Sequence, residues 1–176
     1  MPSRLNPYLS FRDNAREAME FYQGVFGGKL DMTTFKEFDV STDPAEGDKI
    51  MHGMLEAPNG MVLMGADTPA SMEYTPGNTI SVSLSGDDEA ELRGYYDKLK
   101  VGGTETMPLA KAPWGDSFGM LIDRFGIAWL VNISGQDGQG GPQGGVRGRP
   151  GRHQRAAGAR CGDQGTDRRA ERRAAA

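Results

Sequence analysis

His52-Gly-Met-Leu-Glu-Ala-Pro-Asn-Gly-Met-Val-Leu-Met64 and Phe118-Gly-Met-Leu-Ile-Asp-Arg-Phe-Gly-Ile-Ala-Trp-Leu130 lie over one another without a gap, each reading x-Gly-Met-Leu-x4-Gly and then an apolar residue. Upstream, Phe21-Tyr22 before Gly27-Gly28 answers Tyr95-Tyr96 before Gly102-Gly103. Such self-similarity marks one supersecondary unit used twice, because a single copy cannot bury its own apolar face. Two copies must cover each other, and the hollow between them is the natural place for a ligand.

Each copy spells out the same order of elements. In the first, Tyr8 to Phe11 is a short strand-like run, and Asp13 or Asn14 can cap the helix that follows. Ala15, Ala18, Met19, Tyr22, Val25 and Phe26 recur at the spacing of one buried helical stripe, with Arg16, Glu17, Glu20 and Gln23 toward water. Gly27-Gly28 supplies the stop. Leu30 to Phe38, Ile50 to Ala57 and Met61 to Gly65 read as strands, the last two joined by the hairpin signal Pro58-Asn59-Gly60. In the second copy, Thr79 to Leu84 is a strand, Asp87 or Asp88 caps a helix to about Leu99, and Gly102-Gly103 ends it. Thr104 to Pro108, Phe118 to Ile122 and Ile127 to Asn132 complete the set. The helices are offset by 74 residues and the hairpins by 66, so the first copy holds eight more residues, assigned to the loop-like Asp39 to Asp48. Thr68 to Asn78 is the linker. The reading is an α+β fold in which two βαβββ modules form a curved mixed sheet around a shared cavity, with the helices on the outer face.

Composition narrows the function. At 176 residues and 37% apolar content the chain can bury a globular core. The paired modules (about 5–66 and 78–134) fit within residues 1–134, which carry 11 Lys and Arg against 20 Asp and Glu, a formal −9. Residues 135–176 carry nine Arg against four acids, with 11 glycines and no aromatic, Leu, Ile or Met. So little apolar surface cannot offset chain entropy, and this Gly/Arg/Ala-rich tail is expected to be disordered. An acidic body argues against nucleic acid as a partner, since that affinity rests on Lys and Arg neutralising phosphates. No apolar run reaches about 18 residues and no basic N-terminal segment precedes an apolar one, so neither membrane span nor signal peptide is expected and the location is read as cytoplasmic. Cys161, the single cysteine, has no partner for a disulfide within the chain.

Strand, helix and three strands, twice within residues 4–133, resembles the vicinal oxygen chelate superfamily of glyoxalases, bleomycin-resistance proteins and extradiol dioxygenases. Within it, Trp114-Gly-Asp-Ser-Phe-Gly119 followed by Asp123-Arg-Phe-Gly-Ile-Ala-Trp129 is similar to the PhnB-like branch. The resemblance implies, for metal-using members, histidines early in the first strand of each module and a glutamate on the last strand of the second. Here Pro7, Ile80 or Ser81, and Leu130 stand near those positions, and none is a good ligand. His52 is the lone histidine of the paired modules, His153 being in the tail. A catalytic divalent metal usually takes three protein ligands. No cofactor is therefore expected, and a divalent metal stays open only if Asp116 or a partner chain adds a ligand to His52 and Glu56.

His52 and Glu56 share one face of a strand with Met54 between them. An imidazole and a carboxylate on one wall can hold or move a proton, which makes them the candidate catalytic residues. The competing account is a structural histidine, and in the reversed register Met51, Gly53 and Leu55 would face the cavity instead. Met54, Met64, Phe118 and Met120 are candidate ligand-binding residues, thioethers being flexible and polarizable. Core filling is the alternative for any one methionine. Trp114, after Pro113 in a loop, is read as a lid over a ligand or as cover for the sheet or a dimer contact, and Trp129 joins the ligand-binding set. No Gly-x-Ser-x-Gly motif, cysteine nucleophile or phosphate-binding fingerprint occurs in the modules.

Three readings follow. The first is a PhnB-like binding protein, or metal-independent enzyme, for a small apolar or aromatic molecule. The second is a metal-dependent lyase or dioxygenase with a relocated ligand set. The third is a non-catalytic sequestration protein for a drug or toxin. A homodimer is expected, because exposed strand edges invite pairing.

Overall fold

The computed structural model describes residues 3–39 and 43–135. The tail beyond Gly135 lies outside the described residues. Module one runs β1 (Tyr8–Phe11), α1 (Ala15–Phe26), β2 (Lys29–Thr34), β3 (Ile50–Glu56) and β4 (Val62–Asp67). Module two repeats it as β5 (Val82–Gly86), α2 (Glu89–Leu99), β6 (Thr104–Lys111), β7 (Ser117–Ile122) and β8 (Ala128–Ile133). Hydrogen bonding gives each module its own four-stranded mixed sheet, in the order β1-β4-β3-β2 and β5-β8-β7-β6. In both, the first strand is parallel to the last and the other pairs are antiparallel. The α+β, two-module architecture read from the repeat is the architecture observed.

The doubled glycines have the same steric role in both copies. A Cβ on Gly28 would collide with the Glu56 carbonyl and stand 2.8 Å from Ala57 Cα; one on Gly103 would collide with the Ile122 carbonyl and stand 2.9 Å from Asp123 Cα. Both glycines thus let the chain leaving the helix cross the end of the third strand at bare-backbone distance. The hairpins match atom for atom in their closing bonds: Ala57 N–H donates to Met61 O and Asp123 N–H to Ile127 O, each at 2.9 Å.

Helix α1 buries the stripe of Ala15, Ala18, Met19, Tyr22, Val25 and Phe26 read from its spacing. Its cap is different from the expected one. Neither Asp13 nor Asn14 caps through its side chain; the Ala15 N–H donates instead to Asp67 Oδ1 at 3.0 Å, and the same carboxylate takes the Ile50 N–H at 2.9 Å. A buried carboxylate at the helix N-terminus also complements the macrodipole. Asp88 caps α2, accepting from Glu91 N–H. Strand β2 ends at Thr34, short of the expected Phe38, because a bulge at Thr33/Thr34 breaks its register and Lys36–Phe38 turns as a 3-10 helix. Strand β5 begins at Val82, where its pairing with Trp129 begins, rather than at Thr79.

Both helices cover one face of their sheets, and the core is shared between modules. Tyr22 of α1 packs on Trp129 of β8 at 5.6 Å between ring centroids, and Phe26 meets both Trp129 (5.6 Å) and Tyr95 of α2 (5.0 Å). Phe125, in the β7–β8 turn, packs edge-on to Phe11, Phe21 and Tyr22. Among the described residues no helix is long and apolar enough to cross a membrane.

Candidate functional site

A cavity of about 340 Å³ opens where the modules meet. Module one supplies Phe26 at the end of α1, Leu55 and Ala57 of the β3 end, and Met61 and Leu63 at the start of β4. Module two supplies Val82 to Ser85 of β5 and Trp129 of β8, while Leu5 to Pro7 close a third side. The size is within the range of small-molecule sites. No charged residue lines it; Asn6, Ser83 and Ser85 are its polar members.

Trp129 is the one residue of the expected site on this wall. Its ring is 1% exposed, and its indole N–H donates to Asp123 Oδ2 at 2.8 Å. The same oxygen takes the Tyr22 hydroxyl at 2.7 Å, and Asp123 Oδ1 takes the N–H groups of Phe125 (2.9 Å) and Ile127 (3.0 Å). Four donors on a 4% exposed carboxylate tie α1 of module one to the hairpin and last strand of module two. Burial, then the Asp123 charge, push the Tyr22 hydroxyl well above the ordinary tyrosine range.

The remaining expected residues fall on the sheet faces away from the helices. His52, Met54 and Glu56 alternate along β3 on the face opposite Gly53 and Leu55, so the cavity takes the register that brings Leu55 to its wall. Met54 and Met64 are cross-strand partners, and Tyr8 pairs with Met64 on its other side. The His52 ring stacks on Tyr8 at 5.9 Å. His52 and Glu56 are not brought together: four residues of strand separate their Cα atoms by about 13 Å. Glu56 sits opposite Lys29 on β2. On β7, Phe118 and Met120 share a face, with Trp114, 47% exposed, edge-on to Phe118 at 5.9 Å. Thus the structure assembles Tyr8, His52, Met54 and Met64 as one patch and Trp114, Phe118 and Met120 as another.

Asp116 is buried and structural, accepting from Asn132 Nδ2 and Gly135 N–H, each at 3.0 Å. Among the described residues no three His, Cys, Asp or Glu side chains converge as metal ligands. The donor set of the described residues does not fit a catalytic divalent metal.

A family model of the glyoxalase/bleomycin resistance protein/dioxygenase superfamily matches residues 4–131, both modules and the cavity between them. The chain belongs to this superfamily. Among solved structures, this glyoxalase-superfamily chain is similar to protein PA1353 from Pseudomonas aeruginosa, at 38% identity and a TM-score of 0.66, covering 76% of this chain and 99% of that one. It shares the fold of a PhnB protein from Bacillus cereus described as a putative 3-demethylubiquinone-9 3-methyltransferase, at 24% identity and a TM-score of 0.62, covering 75% of this chain and all of that one. Protein YjdN of Escherichia coli (strain K12) is 27% identical over 140 residues, 73% of this chain and 94% of that protein.

Sequence reasoning missed most of the cavity wall. Phe26 was legible in the buried helical stripe and Leu55 as an inward residue of the reversed register, but nothing local says that they meet Val82 and Trp129. Thr79 to Leu84 reads as a strand but not as cavity wall; the signal for that role is Ser81-Val-Ser-Leu-Ser85, whose small polar residues alternate with apolar ones on a strand with a neighbour on one side only.

Proposed function

We propose that this glyoxalase-superfamily protein binds a small apolar or aromatic molecule in the cavity at the module seam. The observation that carries the reading is a 340 Å³ hollow with Phe26, Met61, Val82, Leu84 and Trp129 on its walls and no charge among them. Apolar walls release water on binding. The protein acts in the cytoplasm as a homodimer, exposed strand edges such as β6 being the surface available for pairing.

His52 is the proton-handling group if the protein is catalytic. The Tyr8–His52 stack fixes the ring on an accessible face, but that face is not the cavity wall, so binding rather than catalysis is the better-supported activity. The test is titration of the full-length protein with naphthalene, followed by tryptophan emission and calorimetry. Saturable one-to-one binding, weakened at least about tenfold by the cavity-filling Val82→Phe and Met61→Trp, is the expected result. Binding unaffected by both variants would refute the assignment of the site.

A further inference from the structure

Residues Val82, Ser83, Leu84 and Ser85 all line the cavity, although side chains alternate between the two faces of a strand. Four consecutive contacts therefore place the cavity along the edge of β5, not over one of its faces. That edge is free, because β5 pairs only with β8. Parallel pairing fixes which main-chain groups it presents. Gly86 O accepts from Ser134 N–H, so the N–H and C=O groups of Val82, Leu84 and Gly86 point toward β8, and those of Ser83 and Ser85 point the other way. Among the described residues these Ser83 and Ser85 groups have no hydrogen-bond partner.

We infer that the ligand is a neutral compound of about two fused rings carrying an amide-type donor and acceptor, its rings against the apolar wall of Phe26, Met61 and Val82 and its amide on the free edge of β5. This rests on the cavity being the binding site, as proposed above. The size follows from volume: a cavity of about 150 Å³ takes one benzene, and this one is about 340 Å³. Neutrality follows from the walls, since an anion would leave water for a lining without a cation. The amide follows from the edge, because an unpaired strand offers alternating donors and acceptors to a group that can return both.

The experiment compares naphthalene, 1-naphthamide and 1-naphthoate on the full-length protein, its Ser83→Pro, Ser85→Pro and Ser83→Ala variants, and Val82→Phe. Proline removes an N–H that faces the cavity and leaves the bonds to β8 intact, a placement that edge strands accept. The naphthamide is expected to bind at least about tenfold more tightly than naphthalene or the naphthoate, as two added hydrogen bonds allow. Both proline variants are expected to lose that preference while still binding naphthalene, and Ser83→Ala to keep it, because the main chain does the recognition. Equal binding of amide and hydrocarbon, tighter binding of the naphthoate, or a preference that survives both prolines would overturn the inference while leaving the cavity assignment standing. Indifference of all three compounds to Val82→Phe would overturn the cavity assignment itself.

Discussion

Asp123 carries more of this molecule than any residue expected to be catalytic. Its carboxylate holds a phenol, an indole and two backbone N–H groups, so Asp123→Ala would leave two buried and two half-buried donors without an acceptor. A loss of about 3–5 kcal/mol in urea unfolding is expected, and a loss under about 1 kcal/mol would contradict the hub role. The tyrosines give a pH signature. Burial, then the Glu91 hydrogen bond, push Tyr95 up to about 12, while Tyr22 and Tyr96 are raised by burial and by Asp123 and Glu105. A raised folded pKa means that the unfolded chain gives up its proton first. Stability is therefore expected to hold up to about pH 10 and to fall from there toward pH 12 and beyond. The unfolding midpoint at pH 9 and 11 checks this, and Tyr22→Phe should flatten the fall.

The elements show what a sequence can and cannot tell. Helix α1 follows its stripe from Ala15 to Phe26 because apolar period alone determines which face is buried. The hairpins were legible because both copies carry the same turn. The cap was not, since its carboxylate is Asp67, 52 residues beyond the N–H it holds. The candidate site was legible only in part. Alternation sorts His52, Met54 and Glu56 onto one face of β3 but cannot say which face, or which strand edge, meets the other module. The glycines at the helix ends test the repeat as an element. Gly28→Ala and Gly103→Ala should each cost about 1–3 kcal/mol, since a methyl would strike backbone that cannot move aside. Gly24→Ala, in open space inside α1, should instead stabilise by about 0.5–1 kcal/mol. Equal effects at all three sites would remove the close crossing from the explanation.

At the scale of the whole molecule, the aromatic cluster of Tyr22, Phe26, Tyr95, Phe125 and Trp129 belongs to neither module alone. The modules are expected to unfold together, with far-UV and near-UV circular dichroism giving one coincident transition; two separated transitions would mean that each copy has a core of its own. The same shared packing leaves a hollow at the seam, and one fold can host many chemistries there. The most direct test of that hollow as the site is a map of amide and indole chemical-shift changes in the full-length protein on adding naphthalene. Changes centred on Phe26, Leu55 to Leu63, Val82 to Ser85 and the Trp129 indole are the expected result. Changes centred instead on His52, Met54, Phe118 and Met120, with the seam silent, would contradict it.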